Sequence, residues 1–63
     1  MNFASADVKK RILALAGSEQ PIKVIAEKLD ISASTVSKYC LVLEAEKKIE
    51  IRKFGNMKMV KKR

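Results

Sequence analysis

The chain has 63 residues, of which 48% are hydrophobic, so it is long enough for one small folded domain and too apolar for a disordered segment. It contains no histidine and one cysteine, which excludes a disulfide framework, a zinc site of cysteine and histidine, and histidine acid–base chemistry. The net charge is +7, and the excess is confined to residues 47–63, where eight basic residues meet a single acidic one, Glu50.

Three helices are predicted in the first three quarters of the chain. The first covers residues 5–16, and a loop at residues 17–20 separates it from a second helix at residues 22–29. The third covers residues 33–48, with Ser32 as its N-cap and with Lys47 and Lys48 in its last turn, where cations complement the helix dipole. Apolar residues at helical spacing predict the core: Val8, Ile12, Leu15, Ala16, Ile22, Ile25, Ala26, Leu29, Val36, Tyr39, Cys40 and Leu43.

After residue 48 the apolar period changes from 3.6 to 2, which predicts a β-hairpin over residues 49–61. A three-residue loop at residues 54–56 pairs Lys53 with Met57 and Ile51 with Met59. This register puts one apolar set on the inner face: Ile49, Ile51, Met57 and Met59. It puts the remaining set outside: Glu50, Arg52, Lys58 and Val60. A two-residue turn at Gly55 and Asn56 would divide the apolar set between the faces, so the three-residue loop is preferred.

Residues 22–39 resemble the helix-turn-helix motif of DNA-binding regulators, and residues 40–51 look like the passage from helix to wing in winged helix-turn-helix proteins. Ala26 is small where the two helices cross, and Leu29 and Ile31 bracket the turn. Asp30 stands where glycine is usual, and aspartate tolerates the left-handed backbone conformation. The resemblance implies one domain over residues 1–63 of α+β, mainly α class, in which three helices are followed by a β-hairpin wing.

Two groups of regulators within this class are similar to the chain. The segment from Lys38 to Glu44, with its tyrosine and leucines, resembles the third helix of small transcriptional regulators of fimbrial operons. Their proline- and arginine-rich wing has no counterpart in residues 53–58. Stand-alone winged-helix regulators from archaea, plasmids or viruses are also similar.

The resemblance implies a transcription regulator that binds duplex DNA in a sequence-dependent manner, with the third helix in the major groove and the basic wing on the backbone. It implies no cofactor, no metal and no small-molecule substrate, and a homodimer is expected because regulators of this type bind two half-sites. The absence of a long apolar run or a signal-peptide pattern predicts a cytoplasmic protein without membrane contact. The candidate DNA-binding residues are Ser32, Ser34, Thr35, Ser37, Lys38, Arg52, Lys53 and Lys58.

Several alternatives stay open at this stage. Ser32 is better explained as a helix cap than as a base contact, and Phe54 at the wing tip either enters a groove, contacts a partner or folds back onto a helix. Three apolar residues exceed the needs of a three-helix core and are candidates for a dimer contact: Leu13, Leu41 and Val42. Leu41 also supports a protein-interaction adaptor with little DNA affinity. An enzyme is disfavoured because the sequence has no paired carboxylates, nucleophile–base pair or phosphate loop.

Overall fold

The computed structural model describes residues 5–63 and shows three helices followed by a β-hairpin. The helices are α1 (Ser5–Leu15), α2 (Ile22–Leu29) and α3 (Ala33–Ala45). The strands are β1 (Gln20–Pro21), β2 (Ile49–Phe54) and β3 (Met57–Lys62). The α+β, mainly α class with a C-terminal hairpin is therefore confirmed, and α2 has the predicted bounds. Pro21 precedes α2 with φ near −65°, which suits the start of a helix.

The core lies between the helices and the inner face of the hairpin. The buried apolar residues are Val8, Ile12, Ala16, Ile22, Ile25, Ala26, Val36, Cys40, Leu43, Ile49 and Val60. Around them pack half-buried residues: Leu13, Leu15, Leu29, Ile31, Tyr39 and Ile51. The helical part of this set was predicted, except that Leu13 was not assigned to the core.

The helices α2 and α3 end in the same backbone arrangement. At the end of α2, the N–H groups of Asp30 and Ile31 donate to the carbonyls of Glu27 and Ala26, and Asp30 has φ 57°. The end of α3 repeats this pattern, with Lys47 at φ 61° in the place of Asp30. This is a Schellman motif, in which the left-handed residue is usually glycine. The left-handed Asp30 was predicted.

The end of α3 differs from the prediction. The helix finishes at Ala45 and Glu46 is its C-cap, so Lys47 and Lys48 lie beyond the helix and not in its last turn. The left-handed Lys47 stops the helix because its N–H and that of Lys48 turn back to the carbonyls of Glu44 and Leu43. The chain is thereby turned directly into β2.

A short strand that the sequence did not predict completes the sheet. Gln20 and Pro21, expected to lie in a loop and at the start of a helix, pair with Val60 and Met59 of β3 and give the strand order β1-β3-β2. Proline lacks an N–H and is tolerated here because β1 is an edge strand. The N–H of Lys62 also donates to the carbonyl of Ala16 at 2.8 Å, so the sheet is tied to the end of α1.

The predicted register of the hairpin is wrong. The strands are joined by the two-residue turn Gly55–Asn56, so Phe54 pairs with Met57, and Ile51 with Val60. Gly55 alone in the turn has positive φ, as in a II′ turn. The β-branched Val60 is thereby fully buried, whereas Met57 is half exposed on the outer face. The two-residue turn thus divides the apolar residues between the two faces, and Val60 fills the core in place of the methionines.

Candidate nucleic-acid interface

One side of α3 is not used by the core and faces outward. Val36, Cys40 and Leu43 point into the core, and the opposite side carries the residues that we call the outer face of α3: Ser34, Ser37, Lys38 and Leu41. Ser34, Lys38 and Leu41 are exposed and Ser37 is half-buried. The outer face of α3 therefore consists of two small hydroxyl side chains, one cation and one large apolar side chain.

Three hydroxyls meet at the N-terminus of α3. The Oγ of Ser32 accepts a hydrogen bond from the N–H of Thr35 at 3.2 Å, which confirms Ser32 as the N-cap. The same Oγ lies 2.8 Å from Thr35 Oγ1 and 3.2 Å from Ser34 Oγ. These candidate residues thus already share hydrogen bonds with one another, and Thr35 is half-buried. Their hydroxyls are placed at the positive end of the helix dipole, where anions are stabilised.

A groove of about 370 Å³ separates the first half of α3 from the tip of the wing. Its walls come from the start of α2, the start of α3 and the hairpin turn, and it is lined by Pro21, Ile22, Lys23, Ala33, Ser34, Ser37, Asn56, Met57 and Lys58. We call it the wing groove. It brings together residues of α3 and the wing that the sequence proposed separately.

Lys23 is a cation of the wing groove that the sequence analysis missed. It is exposed at the start of α2, one residue after the buried Ile22. The even charge balance of residues 1–46 drew attention away from individual lysines in that part. Its position off the apolar stripe of α2, in the first turn of that helix, is the feature that could have indicated it.

The three cations of the wing do not share one face, contrary to the prediction that grouped Arg52 with Lys58. Lys53 and Lys58 are directly opposite partners, so their side chains leave the sheet on the same face, that of Ile51 and Val60. Arg52 leaves on the other face. Two like charges at opposite positions repel each other, and the described residues place no carboxylate in an ion pair with either lysine.

Arg52 is engaged within the protein. Its Nη1 lies 3.7 Å from Oε2 of Glu19, a buried oxygen without a hydrogen bond from the described residues, and its guanidinium carbon is 5.5 Å from the centre of the Phe54 ring. Phe54 therefore stacks with Arg52 and does not fold onto a helix, and the residue is 53% exposed. Arg52 serves to neutralise Glu19 and to cover Phe54, which leaves it less available for an external anion.

Most other cations near the groove have no acidic partner. Within residues 5–63 the ion pairs use Lys9 and Lys48, both with Glu46, and Arg52 with Glu19. No ion pair in this range involves the cations around the wing groove and the C-terminus: Lys23, Lys38, Lys53, Lys58, Lys61, Lys62 and Arg63. The wing groove and the wing tip thus carry positive charge that no ion pair in the described residues compensates, whereas Lys61, at the base of the wing, is directly opposite Glu50 in the β2–β3 pair.

The single cysteine is not a reactive thiol, and the described residues form no metal site. Cys40 is fully buried, as predicted, and burial raises the pKa of its thiol to about 11, so it stays protonated near neutral pH. In the part of the chain that the structure describes, no cluster of histidine, cysteine, aspartate or glutamate could hold a metal ion. No helix of residues 5–63 has the length and apolarity to cross a membrane.

The architecture and the groove define a winged helix, in which the β2–β3 hairpin is the wing. The fold is similar to that of reduced HlyU from Vibrio cholerae N16961, with a TM-score of 0.81 and 18% sequence identity over 87% of this chain. The chain spans 59% of the length of that HlyU chain. No protein-family model matches the sequence, and no curated protein sequence matches it either.

Proposed function

We propose that this protein is a transcription regulator that binds duplex DNA, with α3 in the major groove and the wing on the phosphate backbone. The observation that carries the proposal is the wing groove, because it joins the outer face of α3 to the cations Lys23 and Lys58, neither of which is in an ion pair within residues 5–63. A major groove about 12 Å wide admits one helix, and the wing then lies over the adjacent backbone.

The wing supports the proposal through its electrostatics. Lys53 and Lys58 repel each other in the free protein, and a phosphate placed between them would replace that repulsion with attraction. The C-terminal residues Lys61, Lys62 and Arg63 extend the same positive segment. Phosphate contacts of this kind carry no sequence information, so we assign the wing a role in affinity.

The residues of α3 divide into two groups. Ser32, Ser34 and Thr35 are bound to one another at the helix N-terminus, which suits a phosphate contact. Ser37 and Lys38 lie further along, make no side-chain hydrogen bond with these hydroxyls, and are assigned to base edges. Neither group contains the arginine, asparagine or glutamine side chains that make bidentate base contacts.

A second function, a protein-interaction adaptor, is favoured by one observation: Leu41 is 59% exposed on the outer face of α3. Of the three apolar residues proposed for a homodimer contact, two are accounted for elsewhere. Leu13 packs against the core, and Leu41 lies on the outer face of α3. That leaves Val42, 41% exposed, as the apolar residue open to a second copy. Sedimentation at tens of micromolar protein decides this point, and a single species of 7.1 kDa would refute the dimer.

The test of DNA binding is a fluorescence anisotropy titration with a random-sequence duplex at about 50 and 200 mM salt. We expect micromolar binding that weakens steeply with salt, because cations that contact phosphates release counterions. Lys10→Gln on α1 is the control for net charge, because it lowers the charge by one unit away from the wing groove. Its affinity for the duplex should stay close to that of the parent. Absence of binding at the lower salt concentration would exclude the DNA function and favour the adaptor.

A further inference from the structure

The outer face of α3 carries a large apolar side chain that the core does not use. Leu41 is 59% exposed, the highest value among the large hydrophobic residues that the structure describes. It follows Ser37 by four residues and Lys38 by three, so helical spacing places all three on one face. Leu41 is therefore available for a contact outside the protein.

The other side chains of this face discriminate poorly between bases. A serine hydroxyl both donates and accepts, so Ser34 and Ser37 can bond to any base edge. Lys38 is a flexible donor that meets any acceptor in the major groove. The apolar feature of the major groove is the 5-methyl group of thymine, which a leucine side chain can contact.

We propose that Leu41 contacts thymine methyl groups in the major groove and thereby selects A·T base pairs at the position it meets. The proposal rests on the proposed function, in which α3 enters the major groove. Leu41 lies one turn beyond Ser37, which lines the wing groove, and so continues the same surface along α3. Glu44 follows Leu41 by three residues, so it lies beside Leu41 one turn closer to the C-terminus of α3 and marks the end of the face that is open to DNA.

DNA fits this surface better than a protein does because of the surrounding charge. Lys38 precedes Leu41 by one turn on the same face, and Lys23 and Lys58 lie in the adjoining groove without an ion-pair partner in the part of the chain that the structure describes. An apolar side chain among uncompensated cations is complementary to an apolar methyl group inside a polyanion. Burial of one methyl-sized group changes an affinity by about fourfold, which sets the expected size of the effect.

The experiment compares thymine with uracil, which lacks only the 5-methyl group. Duplexes bound by the full chain are enriched from a random pool, and the enriched duplex is then remade with deoxyuridine in place of thymidine at one position at a time. Binding is measured for the parent, for Leu41→Ala and for Val42→Ala. The Val42 variant is the control, because Val42 is an exposed apolar residue of α3 on a different side of the helix. If Val42→Ala weakens the proposed dimer, it lowers the affinity for the thymine and the uracil duplex alike, so the ratio of the two affinities, which is the quantity compared, does not change.

The parent and the Val42→Ala variant are expected to lose about fourfold in affinity at one or two thymine positions, and Leu41→Ala is expected to bind the thymine and uracil duplexes equally. Uracil sensitivity that persists in Leu41→Ala would mean that DNA shape is read and would overturn the proposal. Salt-dependent DNA binding with no uracil effect in the parent would overturn it while the proposed function stands. Absence of any DNA binding would overturn both, and would leave Leu41 as a protein contact.

Discussion

The outer face of α3 and the wing border the same groove, yet they offer DNA opposite kinds of chemistry. The outer face has one cation, Lys38, among hydroxyls and a leucine. The wing presents Lys53 and Lys58 side by side, with no acidic partner in residues 5–63. Phosphate contacts provide affinity and base contacts provide specificity. Under the proposed function, the difference therefore assigns the wing to affinity for any duplex and α3 to the choice of sequence.

The largest effect is expected from the wing. Changing Lys53 and Lys58 together to Gln should reduce the slope of log K against log salt by about 1.8, since each phosphate contact contributes about 0.9 on duplex DNA. The loss should be similar for random and enriched sequences because phosphates are the same in both. Titrations at several salt concentrations measure the slope.

Arg52→Gln is the control for that experiment. It removes the same charge from the same hairpin, but Arg52 lies on the opposite face and is paired with Glu19. Its slope should therefore stay close to that of the parent. If Arg52→Gln alone lowered the slope by about 0.9, half of the effect expected for the double lysine change, DNA would lie on the face of the wing that carries Arg52, and the division between α3 and the wing would be wrong.

A smaller and more selective effect is expected from Lys38. Lys38→Ala should weaken binding to the enriched sequence by about 1 kcal/mol, the lower end of the range for one base contact. Binding to random duplexes should change less, and the thermal midpoint should stay the same because Lys38 is exposed and makes no ion pair in the described residues. Equal losses on both sequences would move Lys38 to a phosphate, and no loss on either would remove it from the interface.

The helical half of this arrangement was predictable from the sequence. Ser32 and Asp30 marked the ends of α3 and α2 through capping chemistry, and the apolar spacing of α3 separated its buried side from its outer face. These features depend on residues within one or two helical turns of each other. Local chemistry was therefore sufficient to locate the outer face of α3 and four of its side chains.

The wing was less predictable because its register depends on distant contacts. Alternation identified the strands, but the choice of turn depended on whether Val60 or the methionines fill the core, and that is decided by packing against the helices. Strand β1 has two residues and no period of its own, so its pairing with β3 could not be seen in the sequence. The ion pair of Arg52 with Glu19, far apart in the chain, was hidden for the same reason.

The smallest expected effect concerns the joint between the two regions. Lys47 connects α3 to the wing with φ 61°, a conformation that is unfavourable for residues with a Cβ and costs glycine nothing. Lys47→Gly should therefore raise the free energy of unfolding by roughly 0.5 to 1 kcal/mol, after the larger backbone entropy of glycine in the unfolded chain is subtracted. Urea denaturation measures this change.

Lys48→Gly removes the same charge at the next position, where φ is not positive, and should lower the stability. Asp30→Gly, in the matching position at the end of α2, should gain less than Lys47→Gly because aspartate tolerates the left-handed region better than lysine does. If Lys47→Gly instead destabilised the protein as Lys48→Gly does, the left-handed conformation of Lys47 would not be a source of strain in the connection between α3 and the wing. A gain at Lys47 with an unchanged salt slope would show that this joint acts on stability and not on the contacts with DNA.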